Sequence, residues 1–205
     1  IKKSKVKEII VTLNYFQSHI KAHLKQNDLN IRYLVEKRPM GTAGGIMNAL
    51  KYIDDTFFVL SGDVLIDLDL NKLLEFHKKK KALATIVLTT VDDPTHYGIA
   101  VLDKDDQIIK FLEKPSRKDV FSKVANTGTY VLEPEIFDYI EPRKGEIDFS
   151  NDLFPILIDK KAGIFGYTLD GYWNDVGRPE TFLKANYDVL DEKIRPEQAG
   201  HKMKR

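Results

Sequence analysis

The sequence predicts an α/β fold with a mixed, mostly parallel sheet and helices on both faces. Three observations point there. Short β-branched runs alternate with amphipathic stretches through the first half of the chain. Phe57-Phe58-Val59-Leu60 is apolar without interruption, as strands buried on both faces are. The composition, with 42% apolar and 31% charged residues, carries no sign of collagen, disorder or a coiled coil.

The expected elements follow in order. A strand over 8–13, a helix over 16–25 and a strand over 31–35 give a βαβ rhythm, because the apolar period switches from two to 3.6 and back. A helix over 43–52 leads to the apolar strand 57–60, and a helix over 70–80 leads to a strand over 83–91. Strands at 99–102 and 108–112, separated by Asp103-Lys104-Asp105-Asp106, read as a hairpin appended to the sheet. A strand over 124–132 follows, then short helices over 134–140, with Pro at its first turn, and 152–159. Strands over 163–169 and 172–176 and a helix over 179–190 close a single domain, 1–190. Residues 191–205 form a linker or tail, with Arg195-Pro196-Glu197-Gln198-Ala199-Gly200 of linker composition. There is no internal repeat.

Charge narrows the partners. Thirty-two basic and 31 acidic residues leave a net +1, so no global field steers the chain to nucleic acid or to an anionic membrane. The dense basic run Lys78-Lys79-Lys80-Lys81 closes an expected helix, where cations complement the carbonyl end, and reads as a solvated face. Absence of cysteine removes disulfides and thiolate metal sites and fits a reducing, cytoplasmic setting. No apolar run approaches the roughly 20 residues of a spanning helix. The first residue, Ile1, suggests numbering that begins inside a longer chain. A homo-oligomer is compatible with the sequence.

Ligands of open α/β sheets sit beyond the carboxyl ends of strands, which singles out Ser61-Gly62-Asp63. A carboxylate there is a hard oxygen ligand suited to Mg²⁺, although Gly-Asp is also ordinary turn chemistry. Asp175, in Gly171-Tyr172-Trp173-Asn174-Asp175-Val176-Gly177, is the second candidate, with core packing of the lone Trp as the plain alternative. Together Asp63 and Asp175 could hold one Mg²⁺ against triphosphate oxygens. Gly41-Thr42-Ala43-Gly44-Gly45 opens a helix with small residues, leaving backbone N–H groups bare for an anion or a base edge; Thr42 as a simple cap explains it equally. Glu36 could accept from a guanine edge or merely be solvated.

Lys114, in Glu113-Lys114-Pro115, is a point charge suited to phosphate. Asn126-Thr127-Gly128 interrupts an apolar strand with the donors and acceptors a sugar needs, and Gly98 after Tyr97 could serve a sugar or a hairpin. The five histidines (His19, His23, His77, His96, His201) lack the Glu of the zinc-protease pattern and read as surface residues.

The order of these motifs resembles the sugar-phosphate nucleotidyltransferase family from Val6 to Leu190. It is carried by Pro39-Met40-Gly41-Thr42-Ala43-Gly44-Gly45, Ser61-Gly62-Asp63, Tyr97-Gly98, Phe111-Leu112-Glu113-Lys114-Pro115, Asn126-Thr127-Gly128-Thr129-Tyr130 and the Gly171 to Gly177 segment. Asp148-Phe149-Ser150-Asn151-Asp152-Leu153-Phe154-Pro155 resembles the mannose-1-phosphate guanylyltransferase branch. The resemblance implies a Rossmann-like fold and transfer of a nucleotidyl group from an NTP, GTP by that branch, to a sugar-1-phosphate, mannose-1-phosphate by the same token. Asp63 and Asp175 then match the magnesium-binding aspartates, and Lys114 the lysine at the sugar phosphate. Gly98, Glu113, Asn126 and Gly128 fall where the family touches sugar hydroxyls. Gly41 and Thr42 fall on the base-binding loop, with Glu36 near the position that reads the base. The family's opening strand and Gly-rich, arginine-bearing phosphate loop have no counterpart before Lys5.

Two rival readings exist. Asp67-Leu68-Asp69 offers the metal motif of a nucleotide-sugar-dependent glycosyltransferase, unless Asp69 caps the following helix. A regulatory homologue could bind a nucleotide sugar without making one. A dinucleotide oxidoreductase is disfavoured, since no Gly-x-Gly-x-x-Gly follows a strand.

Overall fold

The computed structural model describes residues 6–25, 30–141 and 145–194. Its strands are β1 (Ile9–Leu13), β2 (Ile31–Val35), β3 (Phe57–Leu60), β4 (Val64–Ile66), β5 (Ala84–Thr90), β6 (Ile99–Leu102), β7 (Ile108–Leu112), β8 (Val124–Leu132), β9 (Ile164–Thr168) and β10 (Trp173–Asp175). The helices are α1 (Gln17–Leu24), α2 (Gly41–Met47), α3 (Leu70–Lys80), α4 (Phe154–Asp159) and α5 (Pro179–Leu190). The tail expected over 191–205 is described only as far as Ile194, and His201 lies outside the described residues.

The fold is a mixed α/β sheet of Rossmann-like kind. Among the described residues parallel pairing is confined to β1 with β2 and β5 with β9. Every ladder of β8 is antiparallel: β5 lies along one edge, while β6 and then β3 share the other. Element alternation carries no information on strand order, and β8 is long enough to organise the sheet itself. The strand β4, unassigned from sequence because only three residues separate Asp63 from Asp67, pairs antiparallel with β10 in a ribbon of its own. The hairpin β6–β7 curls back through an isolated bridge between Gln107 and Phe165, so its turn meets β9. Lys80, within the basic run at the end of α3, reaches this turn and pairs with Asp106 at 2.9 Å.

Several helices differ in their bounds. The segment expected as a helix over 43–52 divides into α2 and a 3₁₀ turn, Leu50–Tyr52. The helix expected from 152 begins as a wide turn, Phe149–Leu153, before α4, and 134–139 is 3₁₀. The main core packs α2 and α4 on one sheet face through Ile86, Leu88, Tyr130, Phe149 and Phe154. A smaller cluster seats α3 on the other face through Leu73, Val87 and Val131. His77, read as a surface residue, is 1% exposed: it lies on the buried side of α3, with ring nitrogens 2.8 Å from Thr85 Oγ1 and 3.0 Å from Glu133 Oε1. A histidine with two fixed partners can be buried where an unpaired one could not.

Candidate active site

The polar interruption in β8 is a bulge. Between the pairs Ile86 with Tyr130 and Leu88 with Asn126, β5 spends one residue, Val87, where β8 spends Thr127, Gly128 and Thr129. Thr127 closes the ladder by donating its hydroxyl to Val87 O at 2.8 Å. Bulges re-aim side chains and are over-represented beside active sites. At this bulge β6 stops and β3 starts along the shared edge: Asn126 N–H donates to Gly98 O at 2.8 Å, and Ser61 N–H donates to Gly128 O at 3.2 Å. Residues from distant parts of the sequence therefore meet here.

Around the bulge, Asn126 Nδ2 donates to the Tyr130 hydroxyl at 3.0 Å and Asn126 Oδ1 accepts from Gly128 N–H at 2.9 Å. Gly98 is required by close approach: a Cβ there would fall 2.4 Å from Phe111 Cζ and 2.6 Å from Glu113 Oε2. Burial raises the Glu113 carboxyl above its ordinary range, opposed by a hydrogen bond from Ser150 and the charge of Lys114. Lys114 itself has φ of 42°, left-handed for a residue with a Cβ, and its N–H donates to Tyr97 O at 3.1 Å. Such backbone costs about 1 kcal/mol or more and clusters at functional sites. The Tyr97 ring packs edge-on to Trp173 at 5.2 Å, and Trp173 Nε1 donates to Thr127 O at 3.1 Å. Burial raises the Tyr97 hydroxyl's pKa, and the Asp175 charge raises it further.

The two aspartates converge next to this group. Val176 N–H donates to Asp63 O at 2.9 Å, extending the β4–β10 ribbon past Asp175. A Cβ placed on Gly177 would lie 3.0 Å from Asp175 Oδ1 and 3.4 Å from Asp63 Oδ2, so both carboxylates point at one spot. Asp175 is oriented by Gly177 N–H, which donates to its Oδ1 at 2.9 Å. Among the described residues no group of three His, Cys, Asp or Glu side chains is placed to hold a metal ion, so these two acids stand as a pair.

Glu36, Gly41 and Thr42 form a second group. They line a cleft of about 340 Å³ with Tyr15, Glu146 and Asp148. Glu36 lies over Gly45, where a Cβ would meet Glu36 Oε1 at 2.5 Å. Gly41 has φ of 78°, and its Cβ position lies 2.5 Å from Ile147 O. The N–H groups expected to be bare are occupied: Thr42 N–H donates to Asp148 Oδ1 at 3.1 Å, and Ala43 and Gly44 N–H donate to Ile147 O at 2.9 and 3.0 Å. The Thr42 hydroxyl donates to Asp148 at 2.9 Å and accepts from Phe149 N–H at 3.1 Å. The helix start is thus capped from the 147–149 loop, a partner more than 100 positions away that local reading could not supply. The same loop carries Ser150 to Glu113, joining the two groups.

The glycosyltransferase motif is not assembled. Asp69 caps α3, accepting from Asn71 N–H at 2.9 Å and Lys72 N–H at 3.3 Å. Sequence reasoning gave no role to Ser61, Asp148, Ser150 or Arg178, whose side chain hydrogen-bonds Tyr97. Ser61, Asp148 and Ser150 stand in segments that carry the resemblance, but the contacts of all four arise only once the chain has folded.

A mixed sheet with a bulged central strand, paired acids and an adjoining acid-lined cleft defines an α/β domain with a candidate ligand site beside that strand. Residues 1–192 match the nucleotidyl transferase family model, and the chain belongs to that family. It is 38% identical over 189 residues to a mannose-1-phosphate guanyltransferase of Candida albicans, covering 88% of this chain and 51% of that protein. It is 39% identical over 163 residues to a UTP--glucose-1-phosphate uridylyltransferase of Synechocystis, covering 77% and 42%. HddC of Yersinia pseudotuberculosis superimposes with a TM-score of 0.75 at 28% identity, over 90% of this chain and 80% of that one. The chain spans about half the length of the curated relatives it matches.

Proposed function

We propose that this chain carries out the transfer of a nucleotidyl group from GTP to mannose-1-phosphate, giving GDP-mannose and pyrophosphate. The observation that carries this reading is the convergence of Asp63 and Asp175 beside Gly177, next to the polar bulge of β8. Their hard oxygens fit Mg²⁺, whose remaining ligands usually come from phosphate and water. Asp63 and Asp175 would hold the ion, which when bound neutralises and polarises the phosphate oxygens.

An oxygen of the sugar phosphate attacks the α-phosphorus; the new P–O bond forms as the bond to the bridging oxygen breaks, and pyrophosphate leaves with that electron pair. Lys114 stabilises the charge on the sugar phosphate, fixed by its backbone bond to Tyr97. Gly98, Glu113, Asn126 and Gly128 orient the sugar around the bulge, and such positioning lowers the barrier of a reaction that needs no covalent enzyme intermediate.

The lining of the cleft supports the choice of guanine. Glu36, Glu146 and Asp148 line it, and carboxylates accept from the N1–H and amino donors that guanine presents and uracil lacks in that pattern. Gly41 and Thr42 shape this wall. HddC of Yersinia pseudotuberculosis complexed with GMP-PN superimposes with a TM-score of 0.72 at 27% identity over 88% of this chain, which supports a guanine nucleotide in this fold. Among the described residues no helix is long and apolar enough to cross a membrane.

The assay is pyrophosphate release from GTP or UTP paired with mannose-1-phosphate or glucose-1-phosphate in Mg²⁺, with any residues encoded before Ile1 restored. The GTP and mannose-1-phosphate pair is expected to turn over fastest. Release of nucleoside diphosphate, or GDP-mannose binding without turnover, would overturn the proposal.

A further inference from the structure

Asp188, on α5, is a carboxylate only 2% exposed. Its Oδ1 accepts from Lys193 Nζ at 2.8 Å, and its Oδ2 accepts from Lys184 Nζ and from the Tyr172 hydroxyl, the latter at 2.8 Å. The Tyr172 hydroxyl in turn accepts from Asn174 Nδ2 at 3.2 Å. That amide also donates to Thr181 O, on α5, at 3.1 Å. Asn174 is 8% exposed and immediately precedes Asp175. A continuous run of hydrogen bonds therefore leads from the buried face of α5 to the residue before a candidate metal ligand.

The arrangement exceeds what anchoring a helix needs. Two lysines already neutralise Asp188, and an apolar pair would bury α5 at less desolvation cost. The Tyr172 bond adds direction: it fixes the hydroxyl, which fixes the Asn174 amide, which fixes the β10 backbone where Asp175 leaves it.

We infer that Asp188 is a positioning residue for the Asp175 carboxylate, acting through Tyr172 and Asn174. The inference rests on the proposed role of Asp175. Outer groups that orient metal ligands typically change metal affinity by about 10–100-fold when removed, and Asp188 is further out, so about three- to tenfold is expected.

Trp173, the chain's only tryptophan, stands two residues before Asp175, so quenching of its fluorescence by Mn²⁺ alone reports binding without turnover. Tyr172→Phe severs the run but leaves both lysine pairs of Asp188. It is expected to weaken Mn²⁺ binding about three- to tenfold with little change in Tm. Asp188→Asn loses the ion pairs but still accepts from Tyr172; it should lose more Tm and less Mn²⁺ affinity. That inversion is not what a purely structural role gives. Mn²⁺ affinities that simply follow Tm, or wild-type binding by Tyr172→Phe while Asp175→Asn loses it, would overturn the inference alone. No quenching in the wild type, or quenching indifferent to Asp175→Asn, would overturn the metal role of Asp175 and the inference with it.

Discussion

Val176 donates its backbone N–H to the carbonyl oxygen of Asp63 at 2.9 Å, tying together the ends of the β4–β10 ribbon on which both site aspartates stand. Neither acid has a fixed partner in sequence. The ribbon gives them one, because antiparallel pairing sets Asp175 opposite Val64, next to Asp63.

Asp63→Asn and Asp175→Asn should therefore each reduce pyrophosphate release by about 100-fold or more, the scale lost when a group stabilising developing charge is removed. Circular dichroism and Tm should stay close to wild type, since both side chains face the site rather than the core.

Gly98→Ala tests the sugar side. The added Cβ would meet Phe111 and Glu113 at distances real side chains do not tolerate, and Glu113 must move. KM for the sugar phosphate should rise about tenfold or more, since a misplacement of about 1 Å can cost on the order of 100-fold. KM for the nucleotide should change less. Equal changes in both would break the link between Glu113 and the sugar.

At the start of α2, Thr42→Ala removes a hydroxyl bonded to both Asp148 and Phe149. Thr42 lies inside α2, whose N-cap is Met40, so the loss is that of long-range hydrogen bonds, about 1 kcal/mol in urea unfolding. Gly41→Ala should cost more, about 1–3 kcal/mol, because it combines left-handed backbone with a clash against Ile147.

His77 makes stability depend on pH. Burial holds its pKa below the ordinary 6.5, outweighing the hydrogen bond and charge of Glu133 that raise it. The unfolded chain then takes up the proton more readily than the folded one. The stabilisation is present above the unfolded value and is lost as pH falls through the lowered folded value. Thermal unfolding from about pH 7 to about pH 5 should show Tm falling more steeply for the wild type than for His77→Gln.

Much of this was legible locally. Strands β2, β3, β6, β7 and β8 and helices α3 and α5 match their expected bounds, because each has a strong apolar period or a clear start signal such as Asp69 or Pro179. The motif residues could be singled out too, since Gly, Asn and Asp in apolar surroundings are costly unless they serve geometry or chemistry, and their roles in binding and transfer remain the proposal.

The amino-acid sequence by itself determined most of the strands, the helices α3 and α5, and the residues with chemistry to offer. Tertiary structure alone decided that β8 runs antiparallel through the sheet, that the N–H groups of α2 belong to Asp148 and Ile147, and that His77 is buried. The physical reason is range. Helical and strand periods are set by neighbours a few residues apart, whereas a hydrogen bond between Thr42 and Asp148, or a point shared by Asp63 and Asp175, exists only once separate segments pack.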